Sequence, residues 1–242
     1  MKIQLVGQHL DDIHPLLEAR GFEISDQQPD LIITHGGDGT LLGAEREFPG
    51  IPKFPIRDKR TAPRCKAHSC EFLLDLLLEG KLSKTSLMKL SGCSNGREMT
   101  GINDVLIHNL NRVSAVRYQV WINDELYAGE IVGDGACVST VHGSTAYYRS
   151  ITHSIFRVGI GLAFSNSTEL TNHLVLPENS CIRFKILRGP AIMVADNTPN
   201  YVELKEGDEA VIKKIDDQAE VYGLDLFMCP ECRKLRHLRK NN

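Results

Sequence analysis

The segment DLIITHGGDGTLLGAEREF, residues 30–48, constrains the fold more than any other stretch of the chain. Its apolar run around Leu31, Ile32 and Ile33 shows no alternation, as expected of a strand covered on both faces. The run breaks into three glycines around one carboxylate, Asp38, and TLLGAEREF then reads as a helix beginning near Thr40. Strand, glycine turn and helix in succession are the unit of a parallel sheet flanked by helices. The neighbouring segments repeat the alternation. KIQLVG and IPKFPI read as strands, while DDIHPLLEARG and CEFLLDLLLEG read as helices that close on Gly21 and Gly80. Residues 1–84 are therefore expected to form an α/β domain with a Rossmann-like parallel sheet.

After residue 84 the pattern changes. Asn95-Gly96 and Asn123-Asp124 are turn signals between strand-like segments, and RVGIGLAF, CIRFKIL, AIMVAD and EAVIKKI read as further short strands. Residues 85–218 are expected to form a β-rich domain with one helical segment near 143–151. The tail, residues 219–242, ends in CRKLRHLRKNN, either a short helix that packs back on the α/β domain or a solvated end. With 28 basic and 31 acidic residues the net charge is −3, which argues against a nucleic-acid binder. No apolar run reaches the ~20 residues needed to span a bilayer, and the N-terminus turns polar too soon for a secretory core, so the expected compartment is the cytoplasm. The seven cysteines are scattered. Cys65, His68 and Cys70 in RCKAHSC, with Cys229 and Cys232 in CPEC, contain the donors for a zinc site, although neither half alone has the doubled Cys-x-x-Cys spacing. The other reading is free thiols.

In THGGDGT the glycines let backbone amides approach a ligand, and the helix start adds its positive end, a combination suited to phosphate. It matches neither the P-loop nor the dinucleotide fingerprint. Asp38 either takes a proton from an attacking hydroxyl or orients a metal on phosphates, or else it is a turn and N-cap residue. In GDGACVSTVHGSTAY, Asp134 lies in a second glycine turn. Ser144, Thr145 and Tyr147 follow, offering hydroxyls, amides and an aromatic face that suit an adenine ring and ribose. The competing reading makes Ser144 or Thr145 a plain cap and Tyr147 part of the core. Asn103-Asp104 at the mouth of a strand suits ribose hydroxyls, or is turn chemistry.

The order Gly-Gly-Asp-Gly-Thr, Asn-Asp before an apolar strand, then Asp-Gly and Gly-Ser-Thr-Ala-Tyr resembles the NAD kinase family, and LVLPENSCIRFKI and VELKEGDEAVIKK extend the likeness along most of the chain. The resemblance implies an α/β domain followed by a β-rich domain, with the active site between them. It implies transfer of a phosphoryl group from ATP, with a divalent metal such as Mg²⁺, to the 2′-hydroxyl of the adenosine ribose of NAD. By position, Asp38 would activate that hydroxyl, and Gly37, Gly39 and Thr40 would lie against phosphate. Asn103 and Asp104 would hold ribose hydroxyls, Asp134 would contact the dinucleotide, and Thr145, Ala146 and Tyr147 would form the adenine-side loop. Asp196, in VADN, falls near an Asp-Gly segment of the family. A homo-oligomer, dimer or tetramer, is implied as well.

The chain also departs from the family. Where a glycine-rich segment ending in Gly-Phe-Leu usually follows the first domain's helix, FPIRDKRTAPRCKA places Arg57, Lys59, Arg60, Arg64 and Lys66. Val141-His142 replaces Pro-Thr or Pro-Ser, and YRSITHSIF replaces a Gly-Gly-Pro run. The basic residues either meet a phosphate or form a solvated loop. Three further readings follow: a kinase of a different, more anionic acceptor, a catalytically silent sensor of NAD(P) or an adenine nucleotide, and a lipid kinase. No membrane-directed segment supports the last of these.

Overall fold

The computed structural model describes residues 1–61, 65 and 68–238. The chain divides into two compact units, Met1–Leu87 with Ala219–Asn242, and Met88–Gln218.

The first unit opens with β1 (Lys2–Gly7), α1 (His14–Glu18), the two-residue β2 (Glu23–Ile24) and β3 (Leu31–Gly36). It continues with α2 (Asp38–Glu47), β4 (Lys53–Arg57) and α3 (Cys70–Leu78). The strands pair in parallel in the order β2, β1, β3, β4. Every residue of β3 and of β4 is buried, which accounts for the unalternating apolar run of β3, while β4 buries Lys53 and Arg57 at its two ends. The helix over DDIHPLLEARG is shorter than its sequence suggests: a single 3-10 turn, Leu10–Asp12, precedes α1, because Pro15 fits the first turn of a helix and not its interior. Ile3, Ile13, Leu17, Phe22, Leu31, Ile33, Phe54, Ile56, Leu73 and Leu74 form the core of this unit.

The second unit takes in most of β5 (Lys84–Ser94), then β6 (Arg97–Gly101), β7 (Asp104–Asn109), β8 (Val116–Ile122), β9 (Glu125–Gly133) and β10 (Gly135–Ser139). After a 3-10 turn at Gly143–Thr145 come α4 (Tyr147–Thr152), β11 (Ile160–Ser165), β12 (His173–Leu176), β13 (Cys181–Arg188), β14 (Ala191–Ala195) and β15 (Val202–Leu204). The last strand, β16 (Glu209–Tyr222), leaves this unit at residue 218. Both turn signals make hairpins, β5–β6 around Asn95-Gly96 and β8–β9 around Asn123-Asp124, and both asparagines adopt positive φ. Among the described residues one antiparallel sheet has the order β12-β11-β10-β7-β14-β15. The first part of β16 pairs with β13, β13 with β8, and β8 with β9. Side chains from both sets of strands fill one core, among them Val105, Ile107, Tyr118, Val138, Leu162, Phe184, Met193 and Ile212.

The chain then returns to the first unit. Val221 at the end of β16 pairs in parallel with Lys53, and α5 (Leu224–Phe227) and α6 (Pro230–Leu238) follow. Residues 239–242 of the basic tail lie outside the described residues. Among the described residues no helix is long and apolar enough to cross a membrane.

Candidate active site

The loops after β1, β3 and β4 lie at the carboxyl ends of parallel strands, where open α/β sheets carry ligands. Gly36 ends β3 under a hard constraint, since a Cβ there would sit 2.1 Å from Thr40 Oγ1. At Gly37 a Cβ would meet nothing within 4 Å, so the space over that residue is open. Gly37 caps α2, and Asp38 is the first residue of the helix, two positions earlier than the sequence suggests. A carboxylate in the first turn is favoured by the helix dipole.

The Asp38 side chain does not cap the helix. It is 56% exposed and turns to Arg57, whose Nη2 donates to Oδ1 at 3.2 Å and whose Nη1 donates to Oδ2 at 3.5 Å. Arg57 itself is buried, its Nε donating to the Phe227 carbonyl at 2.9 Å and its guanidinium lying 3.9 Å from the Phe227 ring centre. The arrangement resolves the two readings of the basic segment for its first member: Arg57 is neither solvated nor free for an anion. Arg60 is held in the same way by Asp12, at 2.6 and 2.9 Å. Lys59 is exposed, and Arg64 and Lys66 lie outside the described residues. Beside them the buried Asp58 carboxylate accepts from the Arg60 amide at 2.8 Å and lies 2.7 Å from His9 Nδ1.

The second unit carries a constellation of its own. Asp104 begins β7 and pairs with Ser139 at the end of β10, so the Asn103-Asp104 turn and the loop after β10 start side by side. Thr140 ties them together, its hydroxyl donating to the Ile102 carbonyl at 2.6 Å and its amide to the Asn103 carbonyl at 2.9 Å. Gly143 passes so close that a Cβ would fall 2.0 Å from the Asn103 oxygen. From the third side Asp196, at the end of β14, accepts from the amides of Ile102, Asn103 and Asp104 at 2.9, 2.8 and 3.2 Å. The Asp104 carboxyl is 4% exposed; burial, together with the charge of Asp196, pushes its pKa up to about 7. A carboxyl poised near neutrality in such a place is what a ligand-binding site produces.

The chain is similar to known proteins in sequence and in fold. No family model matches it. Among curated proteins, the NAD kinase of Clostridium perfringens is 26% identical over 212 residues, 81% of this chain and 75% of its own length. The NAD kinase of Saccharophagus degradans is 27% identical over 220 residues, 85% of this chain and 74% of its own length. The crystal structure of an NAD kinase from Archaeoglobus fulgidus in complex with ATP superposes with a TM-score of 0.78 at 20% identity, covering 96% of this chain and 99% of that one. The chain is similar to NAD kinases along most of its length and shares their fold. Yeast NADH kinase complexed with NADH has the same fold, with a TM-score of 0.73 at 17% identity over 92% of this chain and 83% of its own.

Within this NAD kinase fold the residues singled out in the sequence fall into distinct places. Gly37, Asp38, Gly39 and Thr40 form one turn, at the start of α2. Asn103, Asp104, Thr145, Ala146 and Tyr147 belong to the pair of loops that Thr140 ties, and Tyr147 is 36% exposed, outside the core. The core aromatic of that loop is its neighbour Tyr148, packed on Phe156. Ser144 faces inward, 1% exposed, with its hydroxyl directed at the Val141 and Phe156 carbonyls, 2.7 and 3.2 Å away. Asp134 stands apart from this group. It precedes β10 at the end opposite Asp104, roughly 17 Å along the strand. Its carboxylate accepts from Asn166 at 2.8 Å and Asn109 at 3.5 Å.

Arg57 and Asp196, both noted in the sequence, make contacts in the structure that the sequence does not foretell. Arg57 carries no local signal, since its partners Asp38 and Phe227 are 19 and 170 positions away. Asp196 does carry one, the turn-forming Asp-Asn pair of VADN, and in the structure it adopts a φ of +49°.

Proposed function

We propose that this chain is an ATP-dependent phosphotransferase that phosphorylates the 2′-hydroxyl of the adenosine ribose of NAD, forming NADP. The observation that carries the reading is Asp38, an exposed carboxylate at the start of a helix beside open backbone, fixed in direction by a buried arginine. Asp38 takes the proton of the 2′-hydroxyl as its oxygen bonds to the γ-phosphorus of ATP, and the bond from that phosphorus to the leaving ADP breaks. The helix start formed by Gly37, Gly39 and Thr40 lies against phosphate oxygens. Asn103 and Asp104 hold ribose hydroxyls, and Thr145, Ala146 and the Tyr147 ring take the adenine side. Ser144 supports that loop from within, and Asp134 is assigned to the turn between β9 and β10, too far along β10 to share a ribose with Asp104. Positioning and fixed charge supply most of the catalysis in such a transfer.

A divalent cation such as Mg²⁺, when bound, neutralises charge on the transferred group. The donor set fits an ion that travels on the nucleotide, since the glycine loop offers one carboxylate, Asp38, and no cage. The expected homo-oligomeric state and cytoplasmic setting belong to the same reading and are open to light scattering and cell fractionation.

One observation favours a second reading, a silent nucleotide sensor: both oxygens of Asp38 face Arg57, a pairing that a base must share. A coupled assay for NADP from NAD, ATP and Mg²⁺, run beside Asp38→Asn, separates the two. The kinase reading expects the variant to lose at least about 10²-fold in turnover while still binding NAD. Wild-type binding without turnover would instead establish the sensor, and an active Asp38→Asn would remove Asp38 from the chemistry. Running other nucleotides as acceptors tests the more anionic substrate, which strict preference for NAD would eliminate.

A further inference from the structure

Four side chains outside the reaction converge in the first unit. Cys65 and His68 lie between β4 and α3, and Cys229 and Cys232 lie at the start of α6. Their Sγ and imidazole nitrogen atoms all fall within 4.8 Å of one another. Cys65 Sγ is 3.3 Å from His68 Nδ1, and Cys232 Sγ is 3.5 Å from both His68 Nδ1 and Cys65 Sγ. From Zn–S bonds of about 2.3 Å and Zn–N bonds of about 2.0 Å, tetrahedral geometry places sulfurs roughly 3.8 Å apart and sulfur roughly 3.5 Å from nitrogen. The observed spacings are those of the corners of such a tetrahedron. We propose that Cys65, His68, Cys229 and Cys232 bind one structural Zn²⁺, which clips the segment after β4 to the C-terminal helix.

Three further observations support a metal. The Cys65 amide donates to Cys232 Sγ at 3.3 Å, the kind of outer bond that steadies a thiolate ligand. Cys232 is 2% exposed and lies inside the cluster, so a metal bound there is shielded from water on that side. A disulfide would employ two of the four residues and leave His68 without a part. Three sulfurs and one nitrogen with no open corner suit zinc in a structural role. The ligating thiols bind as thiolates, their protons passing to solvent, so no oxidant or reductant is needed. Cys70 is not a member of the group, because its side chain is buried in the apolar core with Leu73 and Leu74.

The clip lies next to the catalytic end of this unit. Cys229 follows directly on Phe227 and Met228, the residues that hold Arg57, and Arg57 holds Asp38. Zinc therefore anchors the chain shortly after Arg57, at Cys65, and directly after Phe227 and Met228, at Cys229.

The test is metal analysis of the full chain purified without chelator, joined to X-ray absorption at the zinc edge. The expected result is about one zinc per chain, coordinated by three sulfurs and one nitrogen. The double variant Cys229→Ser/Cys232→Ser should fall below about a tenth of that content, while Cys93→Ser, an exposed thiol elsewhere, should keep it. Should the double variant misfold, His68→Cys provides a folded alternative, expected to keep zinc with four sulfur neighbours. A chain that takes up no zinc after reduction and reconstitution with zinc chloride would overturn the proposal. Zinc retained by the double variant, or a Cys65–Cys232 disulfide found by mass mapping of freshly isolated protein, would overturn it equally.

Discussion

Arg57 donates to three partners at once, two oxygens of Asp38 and the Phe227 carbonyl, and it spans the rim of the α/β unit in doing so. A lysine cannot reproduce that fork, because its charge is a point on a flexible stem. Arg57→Lys is expected to lower kcat by about 10²-fold with a smaller change in the KM for ATP, as a misdirected base would, and steady-state kinetics check it. A second prediction concerns Asp104. Burial raises its pKa from 3.8 to about 7, so between those values the folded chain keeps a proton that the unfolded chain has released. The stability contributed by that proton is complete below about pH 4 and is lost as pH rises towards and through 7. Asp104→Asn should therefore flatten the stability curve across this window and gain on the wild type as pH rises from 4 to 8, read by urea unfolding at each pH. The glycine turn with its aspartate was legible in sequence because its chemistry is local. The arginine that aims it was not, since contact across 19 positions leaves no pattern.

At the level of elements, the register that joins α2 to β4 depends on a buried ion pair. Lys53 Nζ donates to Glu45 and to the Phe48 carbonyl, with the two charged side chains 1% and 6% exposed. Removing one partner strands the other charge out of water, so Lys53→Met is expected to cost about 3–5 kcal/mol, checked by denaturant unfolding. The double variant Lys53→Met/Glu45→Leu should recover most of that loss, because the cost lies in the unpaired charge. Most strands and helices here could be read from periodicity and turn residues, as the hairpins at Asn95-Gly96 and Asn123-Asp124 show. The ion pair could not, since a lysine inside an apolar strand looks like an exposed position until its partner is known. In the same way, β16 reads from EAVIKKI as a short strand yet extends fourteen residues to Tyr222, because its later part gains a parallel neighbour in β4.

For the molecule as a whole, the class of fold and the likeness to NAD kinases were legible in the order of three motifs. The division of labour inside each motif was not. Ser144 and Thr145 are adjacent and chemically alike, and packing alone turns one inward and leaves the other on the rim. The first unit is built from both ends of the chain, with Ala219, Val221, Leu224 and Phe227 all buried within it. A chain ending at Gln218 should keep slow amide exchange in β7, β10 and β11 and lose it in β1, β3 and β4, a contrast that exchange mass spectrometry would reveal. Retained protection in both sets would show that residues 219–242 are dispensable to the α/β unit.

That discontinuity has a consequence during synthesis. A ribosome makes the residues of the β-rich unit in one uninterrupted run, so that unit can settle as it emerges. The α/β unit must wait, since the partner of Lys53 in β16, Val221, is translated after the whole β-rich unit. Phe227 and Met228 arrive last of the groups around Arg57, so the nascent chain carries its glycine turn long before it can aim the carboxylate within it.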